Sequence, residues 1–146
     1  MYDPQSPDAP VAALFSNRLR WWTTVGLQGG LALFFTFFPN QTMDFFRVPR
    51  SVELGIVYQL YGALLMFRAM MEQYVRSACE PSWMRRYMIA SFPFNLGLAY
   101  FLGMAAVAGL MNFWVGVVFA AMAVTEIVEF TIALVRWSRR LQSSET

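Results

Sequence analysis

Four long apolar stretches, set apart by short polar or charged ones, organise the chain. They run from about Trp21 to Phe38, Leu54 to Met71, Tyr87 to Leu110 and Phe113 to Val135. A helix that crosses a bilayer needs roughly 17 to 25 mostly apolar residues, and all four stretches qualify. The pattern predicts an all-α polytopic membrane protein, an antiparallel bundle of four transmembrane helices spanning about residues 18–140. Residues 1–17 are polar and carry Pro4, Pro7 and Pro10, so they are expected to form a flexible tail. Residues 141–146, after Arg140, are expected to do the same.

Composition agrees with that pattern and removes other classes. The chain is 58% hydrophobic and 14% charged, with a mean hydropathy of +0.44. Soluble domains lie nearer 45–50% apolar and about 25% charged, and disorder requires the opposite balance. A cleaved signal peptide is the competing reading of the first stretch. Asp3 and Asp8 in front of it, its length, and the lack of a small-residue cleavage site after Phe38 argue for a retained helix.

Charge then gives orientation. All basic residues are Arg, with no Lys and no His. Arg18 and Arg20 precede the first stretch, Arg76, Arg85 and Arg86 separate the second from the third, and Arg136, Arg139 and Arg140 follow the fourth. An even number of spans puts these eight on one side, leaving Arg47 and Arg50 opposite, offset by Asp44 and Glu53. By the positive-inside rule both termini are expected in the cytoplasm. Trp21, Trp22, Trp83, Trp114 and Trp137 all fall at predicted helix ends, as interfacial aromatics do.

The connections are short. Asn112 nearly makes the turn between the third and fourth stretches, so those two are expected to be antiparallel neighbours. Met43, Phe45, Phe46 and Val48 predict a short piece lying in the outer interface. Asn40-Gln41-Thr42 matches a glycosylation acceptor, a pattern that chance often produces.

The two halves share a weak repeat. Gln28-Gly29-Gly30-Leu31-Ala32-Leu33-Phe34 aligns with Asn95-Leu96-Gly97-Leu98-Ala99-Tyr100-Phe101, and Gly55-Ile56-Val57-Tyr58 with Gly116-Val117-Val118-Phe119. If it reflects ancestry, the fold is a parallel duplication of a two-helix hairpin; otherwise it is chance among apolar helices.

Ionisable groups inside spans are costly and face the bundle interior. Arg68, Glu126 and Glu129 are such groups, and Gln28 and Asn95 join them. Each of the five lies about 10 to 15 Å above the Arg at the cytoplasmic end of its helix, by helix rise. A single polar layer is therefore expected. Glu126 and Glu129 share a helix face, and the planar fork of Arg68 can bridge two carboxylates. Two Glu against one Arg leave a surplus negative charge, to be met by protonation or by a cation. The layer either locks the helices in register or carries a function. Arg68 could instead pair locally with Glu72, and Glu129 could reach the interface.

Other chemistry is sparse. The lack of His removes the commonest acid–base catalyst, metal ligand and haem ligand. Glu126-x-x-Glu129 is not the Glu-x-x-His of di-iron bundles, and no metal site is expected. Cys79 forbids an internal disulfide and has no activating neighbour. A net charge of +2 gives no footprint for nucleic acid. Gly26, Gly29 and Gly30, and the pair Ala105 and Gly109, are expected to permit close helix packing. Pro93 is expected to kink the third helix near Asn95. Tyr58, Tyr61, Leu65 and Arg68 fall on one helical stripe that could line a small pocket.

The Phe38-Pro39 helix end, the short amphipathic segment after it, Tyr61-Gly62-Ala63-Leu64-Leu65, and Asn95 followed by Gly97 resemble the DoxX-like group of small four-helix bacterial membrane proteins. The resemblance implies a compact antiparallel bundle of the bacterial inner membrane, serving as a partner subunit, with no catalytic residue to carry over. Together these readings point to a non-catalytic protein that packs against further copies or other membrane subunits, or binds a lipid or quinone. The alternative is a small proton- or ion-coupled transporter using Arg68, Glu126 and Glu129. An enzyme acting on quinone or lipid is the third reading.

Overall fold

The structure, a computed structural model, describes residues 6–109 and 111–144. The outermost parts of both expected tails, and Leu110 at the end of the third expected span, lie outside the described residues. Among the described residues there are helices and turns but no strand.

The first helix is a correction. Helix α1 (Ala9–Ser16) stands where a flexible tail is expected. Pro10 fits in its first turn, where its missing N–H costs nothing. Val11, Ala12 and Phe15 then share one buried face, with Val11 fully covered. That apolar face against the rest of the molecule outweighs the polar, proline-rich composition around it.

Asn17 breaks α1 and starts the next helix. Its extended backbone turns the chain, and its Oδ1 accepts from the N–H groups of Leu19 at 2.9 Å and Arg20 at 3.3 Å. The helical path continues through α2 (Arg18–Trp21), a π turn at Trp22–Gly26 and α3 (Leu27–Phe37). The backbone is right-handed at Trp21, Trp22, Gly26 and Leu27, so the path is unbroken. Phe38 leaves it, and Pro39 opens α4 (Pro39–Phe46), which Arg47 ends in the left-handed region at φ 57°. The Ser51 hydroxyl then accepts from Leu54 N–H at 3.1 Å and caps α5 (Val52–Ala78). Helix α6 (Pro81–Val107) follows a two-residue break, and Gly109, at φ +70°, makes the turn into α7 (Phe113–Ser144).

Helices α5, α6 and α7 are each long and apolar enough to cross a membrane. Their outward faces expose Leu60, Phe67, Tyr100, Val107 and Trp114 by 63% or more. A soluble monomer rarely presents so much contiguous apolar surface, and the chain is an integral membrane protein. The first apolar stretch is not among those three: it is made up of α2, the π turn and α3, and α3 has 11 residues.

The helices also outrun the expected spans. Arg76, Arg85, Arg86, Arg136, Arg139 and Arg140 lie on helices rather than in loops, and the expected C-terminal tail is helical through Ser144. Apolarity ends where water begins, but backbone hydrogen bonding continues until Gly, Pro or a left-handed residue stops it. Cys79, at φ 51°, is such a stop.

Packing is pairwise. Helix α3 runs beside α5, and α6 beside α7, while α5 and α6 touch much less. Trp21 Nε1 donates to Gln73 at 2.7 Å near one end of the first pair, and Gln59 Nε2 donates to Thr36 O at 3.3 Å near the other, so that pair is antiparallel. Glycines set both approaches, but not the expected ones. A Cβ on Gly62 would sit 2.5 Å from Thr36 Oγ1 and 2.8 Å from Ala32 O; one on Gly116 would sit 2.6 Å from Ala106 Cβ. A Cβ on Gly30 would meet nothing, and one on Gly29 only Ala69 at 4.0 Å. Two apolar clusters close the ends: Val11, Phe15, Val75, Met88 and Phe130 at one, and Ala32, Phe35, Phe46 and Leu65 at the other.

Candidate functional site

Two features adjoin, a charged knot and an apolar cavity walled in part by Phe35 and Phe46 of the second cluster. The knot is larger than the expected layer and differently wired. Arg68 does not bridge two carboxylates. Among the described residues it pairs with one carboxylate, Glu126, and its guanidinium lies 4.9 Å from the Phe94 ring centre. The bridging residue is Arg20, which reaches Glu126 at 3.0 Å and Glu129 at 2.5 Å and lies 3.6 Å from Glu72. Nor does Arg68 pair with Glu72. That carboxylate sits beside Arg76 at 3.3 Å and accepts from Thr24 Oγ1 at 2.8 Å and Tyr87 OH at 3.2 Å.

Three Arg therefore meet three Glu, and the expected surplus negative charge is cancelled. Burial explains why this matters. Glu72 is 1% exposed, Arg20 4% and Glu126 5%, and an unpaired charge at such depth is strongly unfavourable. Only Glu129 is open, with its side chain 42% exposed. The Arg20 guanidinium also lies 4.7 Å from the Phe130 ring centre.

Local structure places these groups. The π turn carries Thr24, whose hydroxyl donates to Glu72, and it directly follows the turn bearing Arg20. Such turns often mark functional or strained positions in helices. Sequence reading missed Arg20 because its place before an apolar run marks it as an interfacial flank. Glu72 is expected from sequence only as a local partner of Arg68, because the predicted span ends one residue before it, at Met71. The signals available were Thr24 inside an apolar run and the Glu72/Arg76 spacing of four.

The two amides part company. Gln28 is half-buried and lines a cavity of about 30 Å³ with Arg68, Glu126 and Tyr61. That is room for a water molecule. Asn95 is fully buried, and neither its Oδ1 nor its Nδ2 has a partner among the described residues. It is hydrogen-bonded to none of the other four residues expected to share its layer.

The second feature is an apolar cavity of about 680 Å³ between the two helix pairs. Tyr58 and Tyr61, expected to line a pocket, both line it, with Phe35, Phe46, Leu102 and Ala105. Tyr61 and Phe119 line the small polar cavity too, so they partition the large one from Arg68 and Glu126. At the far end lie Arg47 and Ser51. Beyond the rim the Arg50 guanidinium holds the Asp44 carboxyl below its ordinary value of 3.8. Cavities of roughly 300 to 1,000 Å³ with mostly apolar walls are the size of small-molecule sites.

Comparison of the chain with family models, with curated proteins and with solved structures finds no match.

Proposed function

We propose that this is a non-catalytic, four-span protein of a bacterial inner membrane, with both termini cytoplasmic, that binds a lipid or quinone molecule between its helix pairs. The cavity carries the reading. It has ligand size, its walls are apolar, and it opens between two helix pairs that touch little elsewhere. A bundle that had only to lock itself together would gain by closing such a space, because unfilled apolar volume is destabilising.

Four crossings are supported by the path of the chain. The helical run Arg18–Phe37 lies antiparallel to α5 over its length. Helix α1 packs against Val75, Met84 and Phe130, where α5 ends and α6 begins, so the chain traverses the molecule before α5 starts. The two close helix pairs are also the arrangement that a duplicated hairpin would give. For the DoxX-like reading, the support is the helix break at Phe38-Pro39, the short α4 and the close approach at Gly62.

The charged knot favours a structural role over coupled transport. Every carboxylate in it already faces an Arg, so no surplus charge is left for a travelling proton or cation to balance. The test is purification of the full chain in mild detergent, followed by native mass spectrometry. A retained lipid or quinone is the expected result. A polypeptide repeatedly free of both would sink the proposal.

A further inference from the structure

We infer that the 680 Å³ cavity takes an anionic single-chain lipid, its chain between the helix pairs and its charged head at Arg47. The inference rests on the lipid-binding reading above and narrows it to one chemical class.

The cavity has one charged lining residue, Arg47, at one end of its long wall. Its α5 side is Leu54, Val57, Tyr58 and Tyr61, the spacing of a single helix face. From Ser51 to Tyr61 that wall is about 15 Å long by helix rise. The inner end is stopped by the rings of Tyr61 and Phe119. An apolar space of this volume and wall length, with one charged residue in its lining, matches one acyl chain with one head.

The sign of the head follows from the charges at the rim. Asp44 and Arg50 pair with each other there and cancel. Glu53 is in the first turn of α5, exposed, and outside the lining. Arg47 lines the cavity, is exposed, and its guanidinium meets no acceptor among the described residues. Its left-handed backbone at φ 57° ends α4 and places it at the opening. A rim with one uncompensated cation, beside the Ser51 hydroxyl, favours a phosphate or carboxylate over a neutral head. The sequence offsets Arg47 and Arg50 together by Asp44 and Glu53; the structure pairs Asp44 with Arg50.

The test uses two probes with the same chain and different heads, oleoyl lysophosphatidate and monooleoylglycerol. Each is added to the detergent-solubilised full chain, and retention is read by native mass spectrometry. Wild type is expected to hold lysophosphatidate about fivefold better, as one interfacial cation implies. Arg47→Gln is expected to erase that preference and Arg47→Lys to keep it. Ala105→Phe, which adds a ring to the cavity wall, is expected to weaken both probes. Equal retention of the two probes by wild type, or a preference that survives Arg47→Gln, overturns the anionic head and leaves the cavity reading standing. Retention of neither probe, or no effect of Ala105→Phe on either, overturns both.

Discussion

At the scale of single residues, the knot is governed by charge balance in a medium of low dielectric. Glu126 touches both Arg68 and Arg20, so Glu126→Gln leaves two buried cations with one carboxylate fewer. Removing one partner of a buried pair costs about 3 kcal/mol or more, well above the ~0.6 kcal/mol average of interhelical polar contacts in membranes. Glu126→Gln is expected to lower unfolding stability in detergent by the larger amount, and adding Arg68→Met to recover part of it. A coupling energy near zero in that double-mutant cycle would refute the pairing. Asn95 is the opposite case. Its buried amide has no partner among the described residues, so Asn95→Leu is expected to match or exceed wild-type thermal stability, by about 1 kcal/mol. Arg68, Glu126 and Glu129 are legible from sequence because a charge inside an apolar run stands out. Arg20 and Glu72 are not, because they sit where the apolar runs fade, and only the packing of α2 and α5 buries them.

At the scale of elements, close approach is decided by two glycines out of several. Gly62→Ala would drive a methyl group into Ala32 O and Thr36, forcing α3 from α5, and is expected to cost about 1–3 kcal/mol. Gly30→Ala meets nothing and is expected to stabilise, by about 0.5–1 kcal/mol of helix propensity. Opposite shifts of melting temperature in detergent are the signature; a similar loss from both would mean the helices pack elsewhere. Helix α1 also makes a strong claim. Phe15 is 2% exposed and packs edge-on to Tyr87 and stacked on Phe130. Phe15→Ala is expected to cost about 3 kcal/mol or more, whereas a flexible tail would show no effect. The apolar stretches predict where α5, α6 and α7 lie, since hydropathy reports contact with lipid. They do not predict helix ends or α1, whose burial depends on a surface assembled from α5, α6 and α7.

At the scale of the whole molecule, the number of crossings is open to a direct measurement. Cys79 is exposed and is the sole cysteine. With four crossings, Ser6→Cys and native Cys79 face the same compartment, since two spans lie between them. With only α5, α6 and α7 crossing, they face opposite ones. A membrane-impermeant maleimide applied to right-side-out and inverted vesicles is expected to label both positions from the cytoplasmic side only. Labelling of Cys79 from the outer side would reverse the orientation, and labelling of the two from opposite sides would remove the first span.

Sequence by itself determines the class and the solvent. Apolar run length demands helices, and the lipid-facing composition demands a membrane, because an exposed backbone amide has no other partner in hydrocarbon. The asymmetry of Arg then sets an expected orientation. What only the tertiary structure decides is which charges meet, because Arg20, Glu72 and Glu126 come from three separate helices and their pairing follows from rotation and register that hydropathy does not encode. The same holds for the cavity. No stretch of sequence marks an empty volume; it exists because α3 and α5 close on Gly62, α6 and α7 close on Gly116, and the two pairs do not close on each other.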